Sequence, residues 1–186
     1  MTGIEIIGAP QSVYVRAARM ALEEKGVQYV LRPAAPHTPE VLAIHPFGKI
    51  PAMRDGTFEL FEAKAIATYA DRAFPGPRLI PEDAKLAGKT EQWISAINTS
   101  VFPGVVGYMQ AHAFPKGPGG KADAAAIAAL MPSVRRHIHI LDRAVDATGH
   151  LAGDDFDAGG YLPPAHPRLS DGISRERRHD GRLWRA

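Results

Sequence analysis

The sequence predicts an α/β domain followed by an all-helical domain. Three observations carry this expectation. Short β-branched runs alternate with helical spacing in the first third of the chain. A proline- and glycine-rich break follows, Phe74-Pro75-Gly76-Pro77 and then Ile80-Pro81. Beyond it the apolar residues recur at helical spacing only. The expected division is 1–75 for the α/β domain, 76–82 for a linker, 83–156 for the helical domain and 157–186 for an irregular or disordered tail.

Gly3-Ile4-Glu5-Ile6-Ile7-Gly8 reads as a short buried strand. Ser12 is a good N-cap for a helix running to Lys25, with Val13, Ala17, Met20 and Ala21 at helical spacing and Gly26 as its stop. Val27 to Arg32 is a second strand, parallel to the first because a helix joins them. Residues 33–39 form a proline-rich loop, and Pro39 to Ile44 a short helix. Pro51 to Arg54 and Thr57 to Leu60 flank Asp55-Gly56, which favours a type I′ hairpin. A helix from Glu62 to Ala73 completes the order β-α-β, loop, β-β-α, the thioredoxin-like arrangement. After the linker, residues 83–113 read as one long helical segment bent at Pro103, and 122–147 as another interrupted at Pro132.

Composition narrows the function. Apolar residues at 45% and charged residues at 23% are ordinary for a soluble globular chain, and no apolar run approaches bilayer length. A basic region followed by an apolar stretch is lacking at the N-terminus, so the expectation is a cytoplasmic protein. There is no cysteine, which excludes disulfides, thiolate metal sites and a cysteine nucleophile, so any thiol chemistry needs a thiol carried by a ligand. The net charge of +2 sits wholly in residues 157–186, where six Arg face three Asp and one Glu. A neutral body gives no electrostatic case for nucleic acid or membrane partners.

The most informative segment is His45-Pro46-Phe47-Gly48-Lys49-Ile50-Pro51, with Glu59-Leu60-Phe61-Glu62-Ala63-Lys64-Ala65-Ile66 downstream. It resembles the glutathione-binding segment of the cytosolic glutathione transferases, and Pro10-Gln11-Ser12 resembles the Pro-x-Ser of their serine-type, phi-like members. The resemblance covers residues 3–156. It implies conjugation of the glutathione thiol to a small electrophile, with glutathione as co-substrate, no metal and a homodimer in which Phe47 is an anchor. The alternatives are a non-catalytic glutathione-binding or structural protein of the same fold, and an unstable, damaged product.

The resemblance also assigns roles. Ser12 stabilises the thiolate, and Tyr14 is the rival hydroxyl. A free thiol titrates near pH 8.5, and each unit of lowering is worth roughly 1.4 kcal/mol of thiolate stabilisation. A hydroxyl hydrogen bond and a helix N-terminus both supply this. As residues alone, an N-cap serine needs no further role and Tyr14 is ordinary packing. Ile50 pairs its backbone with the ligand next to a cis Ile50-Pro51 bond, where strand initiation is the plain reading. Lys49 and His37 reach the glycyl carboxylate, though a solvent-exposed histidine is the commoner case. Glu62 receives the γ-glutamyl ammonium and Ala63 its carboxylate, at a helix start that favours anions. The family carries serine where this chain has Ala63, so one hydrogen bond of about 1.5–3 kcal/mol is missing. Phe102, Tyr108, Met109 and His112 line the electrophile pocket, whereas an apolar stripe with Trp93 and Ile97 is plain helical core. The resemblance brings Arg16 near the ligand, though a solvated arginine is the commoner case.

Other features read as bland. His137 and His139 stand two apart on a helix and do not chelate one metal. Gly117-Pro118-Gly119-Gly120-Lys121-Ala122 lacks the spacing of a phosphate loop. After Phe156 the family pattern stops: Asp157-Ala158-Gly159-Gly160 stands where the family has Thr-Leu-Ala-Asp and an apolar helix. One extra base after the Phe156 codon is compatible with this change. An alternative frame without an apolar helix in the coding DNA would rule that out.

Overall fold

The computed structural model describes residues 3–113 and 120–152. The tail at 157–186 and the segment Lys116 to Gly119 lie outside the described residues. The first 73 residues contain β1 (Ile4–Ile7), α1 (Val13–Glu24), β2 (Tyr29–Arg32), α2 (Pro39–Ile44), β3 (Ala52–Asp55), β4 (Phe58–Phe61) and α3 (Ala63–Ala73). They build one sheet in the order β2-β1-β3-β4. β1 and β2 are parallel, and the other two pairings are antiparallel. This is the expected thioredoxin-like arrangement.

Strand alternation sends side chains to two faces. Ile4, Ile6 and Met53 point to the face covered by α1 and α3, with Val15, Ala18, Leu22, Ile66 and Ala70. Ile7 and Ala52 point to the other face, under Val41 and Ile44 of α2. Beyond α2 that second face carries a row of charge. Glu5 lies opposite Arg54 and Arg54 opposite Glu59 in the register. Arg54 donates to Glu59 at 2.9 Å, and Arg32 donates to Glu5 at 2.7 Å.

Several local expectations need correction. The buried stripe of α1 is Val15, Ala18, Ala21 and Leu22, while Val13 is exposed. Apolar residues lie on more than one side of this helix, so two stripes compete and the sheet takes the one holding Leu22. β2 starts at Tyr29 because the Val27 N–H is used to close α1, on the Leu22 carbonyl at 2.9 Å. The hairpin loop is Gly56-Thr57, since Asp55 pairs with Phe58. Gly56 has φ 59° and Thr57 is not among the positive-φ residues, a pattern that excludes type I′ and matches type II′.

The helical part comprises α4 (Ala84–Ala96), α5 (Phe102–Ala113) and α6 (Ala124–Thr148). Asp83 and Asp123 cap α4 and α6, each accepting two N–H groups. The irregularity expected at Pro103 is a π-helical turn just before it, Ile97–Val101, closed by Phe102 N–H on the Ile97 carbonyl. A wider turn there removes the need for the hydrogen bond that Pro103 is unable to donate. The interruption expected at Pro132 does not occur, and α6 runs through it to Thr148. α6 packs along α5, where Gly104 and Gly107 face Val134 and Leu130.

The linker is held by a buried ion pair. Lys25 and Asp71 lie 3.5 Å apart, each side chain 1% exposed. Lys25 Nζ also donates to the Pro77 carbonyl at 2.8 Å, and Asp71 accepts the Leu79 N–H at 2.7 Å. Leu79 thereby enters the core of the first domain.

Candidate active site

α1 follows β1, so its N-terminus opens at the C-terminal end of a central strand. Ser12 has extended backbone, and its Oγ accepts the Val15 N–H at 3.4 Å. The hydroxyl is partly buried and keeps its own proton for another acceptor. Gly8 allows a close approach here. A Cβ on Gly8 would meet Val15 Cγ2 at 2.5 Å and Ile50 Cβ at 3.1 Å. The start of α1 and the segment holding Ile50 therefore converge across a residue that tolerates no side chain. The Ile50-Pro51 peptide bond is cis, as expected.

The loop before Ile50 is folded on itself. The His37 N–H donates to the Gly48 carbonyl at 2.8 Å, and the His37 ring lies on Gly48, where a Cβ would meet Nδ1 at 2.2 Å. His37, before α2, and Lys49, after it, are both exposed and are brought together by the packing of His37 on Gly48. Glu62 caps α3 with φ 74° and ψ 122°, an uncommon conformation for a residue with a side chain. It makes no side-chain cap hydrogen bond. The first N–H groups of α3, beginning at Ala63, are thus left for an external acceptor.

Tyr14 is tied elsewhere. Its hydroxyl donates to Asn98 Oδ1 at 3.0 Å, and its ring packs on Phe102 at 4.4 Å. Burial, reinforced by the Glu62 carboxylate, raises its pKa above the usual value. The phenol is therefore a protonated donor already committed to the π turn of the helical domain. Of the four residues expected around an electrophile, Phe102 reaches the start of α1 in this way. Met109 returns to Phe102's side of α5 seven residues on and is 56% exposed. Tyr108 and His112 meet edge to face with centroids 4.7 Å apart, a quarter to a third of the way round the helix from Phe102. Arg16 is exposed on α1, and Phe47 is 68% exposed beside the loop.

Two contributors escape a reading of the sequence. Asn98 sits on the π turn, where nothing in its neighbourhood flags it. His45 is visible as part of the motif but not as a buried group. It is 1% exposed, packs on Phe61 with centroids 4.4 Å apart, and accepts the Phe47 N–H on Nδ1 at 3.3 Å. Its Nε2 stands 3.8 Å from Glu62 Oε1. Burial lowers its pKa, with Glu62 opposing and Lys49 assisting.

Comparison with known proteins bears on the family and the fold. The family model for the glutathione S-transferase N-terminal domain matches residues 6–78. Glutathione S-transferase F10 of Arabidopsis thaliana is 30% identical over 155 residues, covering 80% of this chain and 72% of the relative. Glutathione S-transferase 3 of Zea mays is 30% identical over 175 residues, covering 89% and 78%. Among solved structures, poplar glutathione transferase F1 superimposes with a TM-score of 0.75 at 28% identity, covering 88% of this chain and 79% of that one.

Proposed function

We propose that this chain, which belongs to the glutathione S-transferase family, conjugates the thiol of glutathione to small electrophiles. Glutathione is the co-substrate. Ser12 donates a hydrogen bond to the thiolate at the start of α1, where the helix dipole adds to the effect. The thiolate then attacks an electrophilic carbon and the leaving group departs with the bond electrons. Ile50 pairs with the cysteinyl unit, next to Pro51. Lys49 and His37 attract the glycyl carboxylate. Glu62 receives the γ-glutamyl ammonium, and the N–H groups from Ala63 onward receive its carboxylate.

The observation that carries this reading is the convergence of the Ser12 cap with Ile50 across Gly8. The commitment of the Tyr14 hydroxyl to Asn98 favours Ser12 as the thiol's partner. Phe102 and Met109 on one side of α5, with Tyr108 and His112 beside them, supply the apolar wall for the electrophile. The reading carries a homodimer with Phe47 as an anchor, and a cytoplasmic setting. No helix among the described residues is long and apolar enough to cross a membrane.

Conjugation of an activated aryl halide tests the reading. Ser12→Ala is expected to lower kcat/KM roughly 10- to 150-fold, the equivalent of a hydrogen bond to a charged group. A wild-type protein that binds glutathione but shows no conjugation with a panel of electrophiles would favour the non-catalytic alternative.

A further inference from the structure

His45 has features that loop packing alone does not require. A hydrophobic side chain would fill the space between Phe61 and Phe47. Instead a buried imidazole engages one neighbour through Nδ1 and turns Nε2 toward a second. Nδ1 accepts the Phe47 N–H, so the ring proton resides on Nε2. Nε2 looks toward Glu62 Oε1 across 3.8 Å. Glu62 in turn sits at a backbone conformation that side chains rarely adopt, a sign of a position held for its direction.

We propose that His45 is a positioning residue for Glu62, its Nε2–H engaging one carboxylate oxygen so that the other faces the α-ammonium of the bound ligand. The inference rests on the reading of Glu62 as the ammonium's partner. It deepens that reading by assigning the selection of ligands with a free α-amino group to a His45–Glu62 pair. The gap of 3.8 Å closes by a side-chain adjustment when the ligand arrives, as hydrogen bonds in ligand-free sites commonly tighten.

The arrangement has a pH consequence. Among the described residues the charged groups acting on His45 are Glu62, from the start of α3, and Lys49, from its own loop. Protonation puts a hydrogen on Nδ1, facing the Phe47 N–H, and a positive charge beside Glu62. Both effects oppose the ligand: the loop anchor is lost, and an imidazolium competes with the ammonium for the carboxylate. By linkage, the ligand ammonium opposes protonation of His45 to the same extent.

The test is calorimetric binding of glutathione and of its deaminated analogue, which lacks only the α-amino group. For His45→Asn, the amide oxygen replaces Nδ1 and keeps the Phe47 anchor, but nothing replaces Nε2–H. This variant is expected to bind glutathione about tenfold more weakly, with little change for the deaminated analogue. His45→Gln, whose amide reaches toward Glu62, is expected to recover part of the preference. In the wild type the preference for glutathione is expected to shrink as the pH falls through the lowered titration of His45, and in His45→Asn to stay flat over the same range. An equal loss for both peptides in His45→Asn would overturn the proposal, as would a wild-type preference independent of pH. Should His45→Asn fail to melt cooperatively, the wild-type pH series decides. Failure of the wild type to bind either peptide would instead overturn the glutathione-site reading itself.

Discussion

At the scale of single residues, this site works through what each group is free to donate. Ser12 is the simplest case. As a helix cap it accepts one N–H, and its proton remains free. The N-cap role is legible from sequence because serine before an apolar-periodic run is a helix start. The chemical role is not, since capping alone accounts for the residue. Ala63 is a second case. It is the first residue of α3, where a serine hydroxyl would add one donor to the backbone N–H groups. Ala63→Ser is expected to tighten glutathione binding about tenfold or more, given 1.5–3 kcal/mol for a hydrogen bond to a charged group. An unchanged Kd in calorimetry would show that the ligand carboxylate does not sit there. His45 shows where the sequence runs out: it stands in the motif with no sign of burial, and only tertiary packing buries it.

At the scale of elements, the sheet and its helices were legible because their apolar periods are regular. α2 was expected at Pro39 to Ile44 and is found there, with a proline at its first turn. The misses have local causes. Competing stripes on α1, a hairpin whose glycine takes the first loop position, and a proline that α6 absorbs are decided by packing and not by propensity. The Lys25–Asp71 pair was also invisible, since the two residues are far apart in sequence and ordinary in type. It matters for stability because it fastens the linker to the first domain. Asp71→Ala leaves Lys25 buried without its counter-charge and the Leu79 N–H without an acceptor. Loss of one partner of a buried pair costs about 3–5 kcal/mol. The melting temperature is expected to fall by roughly 10 °C, using 2–4 °C per kcal/mol for a chain of this size. A shift of under 2 °C would mean the pair is compensated by solvent. Lys25→Met combined with Asp71→Leu is expected to recover a good part of the loss.

At the scale of the whole molecule, two polar contacts among the described residues join the first domain to the helical one. Tyr14 bonds Asn98 across the boundary, and Lys64 pairs with Glu91 at 2.8 Å. The second contact is exposed and contributes little. The first is exposed too, but it joins the start of α1 to the π turn beside the candidate thiol site. Tyr14→Phe and Asn98→Ala are each expected to cost about 1 kcal/mol in denaturant melts, with the double variant costing no more than one of them. Conjugation should fall by a few-fold at most. A loss as large as that of Ser12→Ala would assign the thiol chemistry to Tyr14 instead.

The central claim is that Ser12 and the start of α1 lower the pKa of the glutathione thiol. The most direct measurement is an ultraviolet titration of the thiolate of glutathione bound to the wild type and to Ser12→Ala. The expected result is a bound thiol that titrates at least one unit below the free value of about 8.5 in the wild type, and returns most of the way toward it in the variant. A bound thiol that titrates at the free value in both proteins would contradict the account, leaving a glutathione-binding fold without an activated nucleophile.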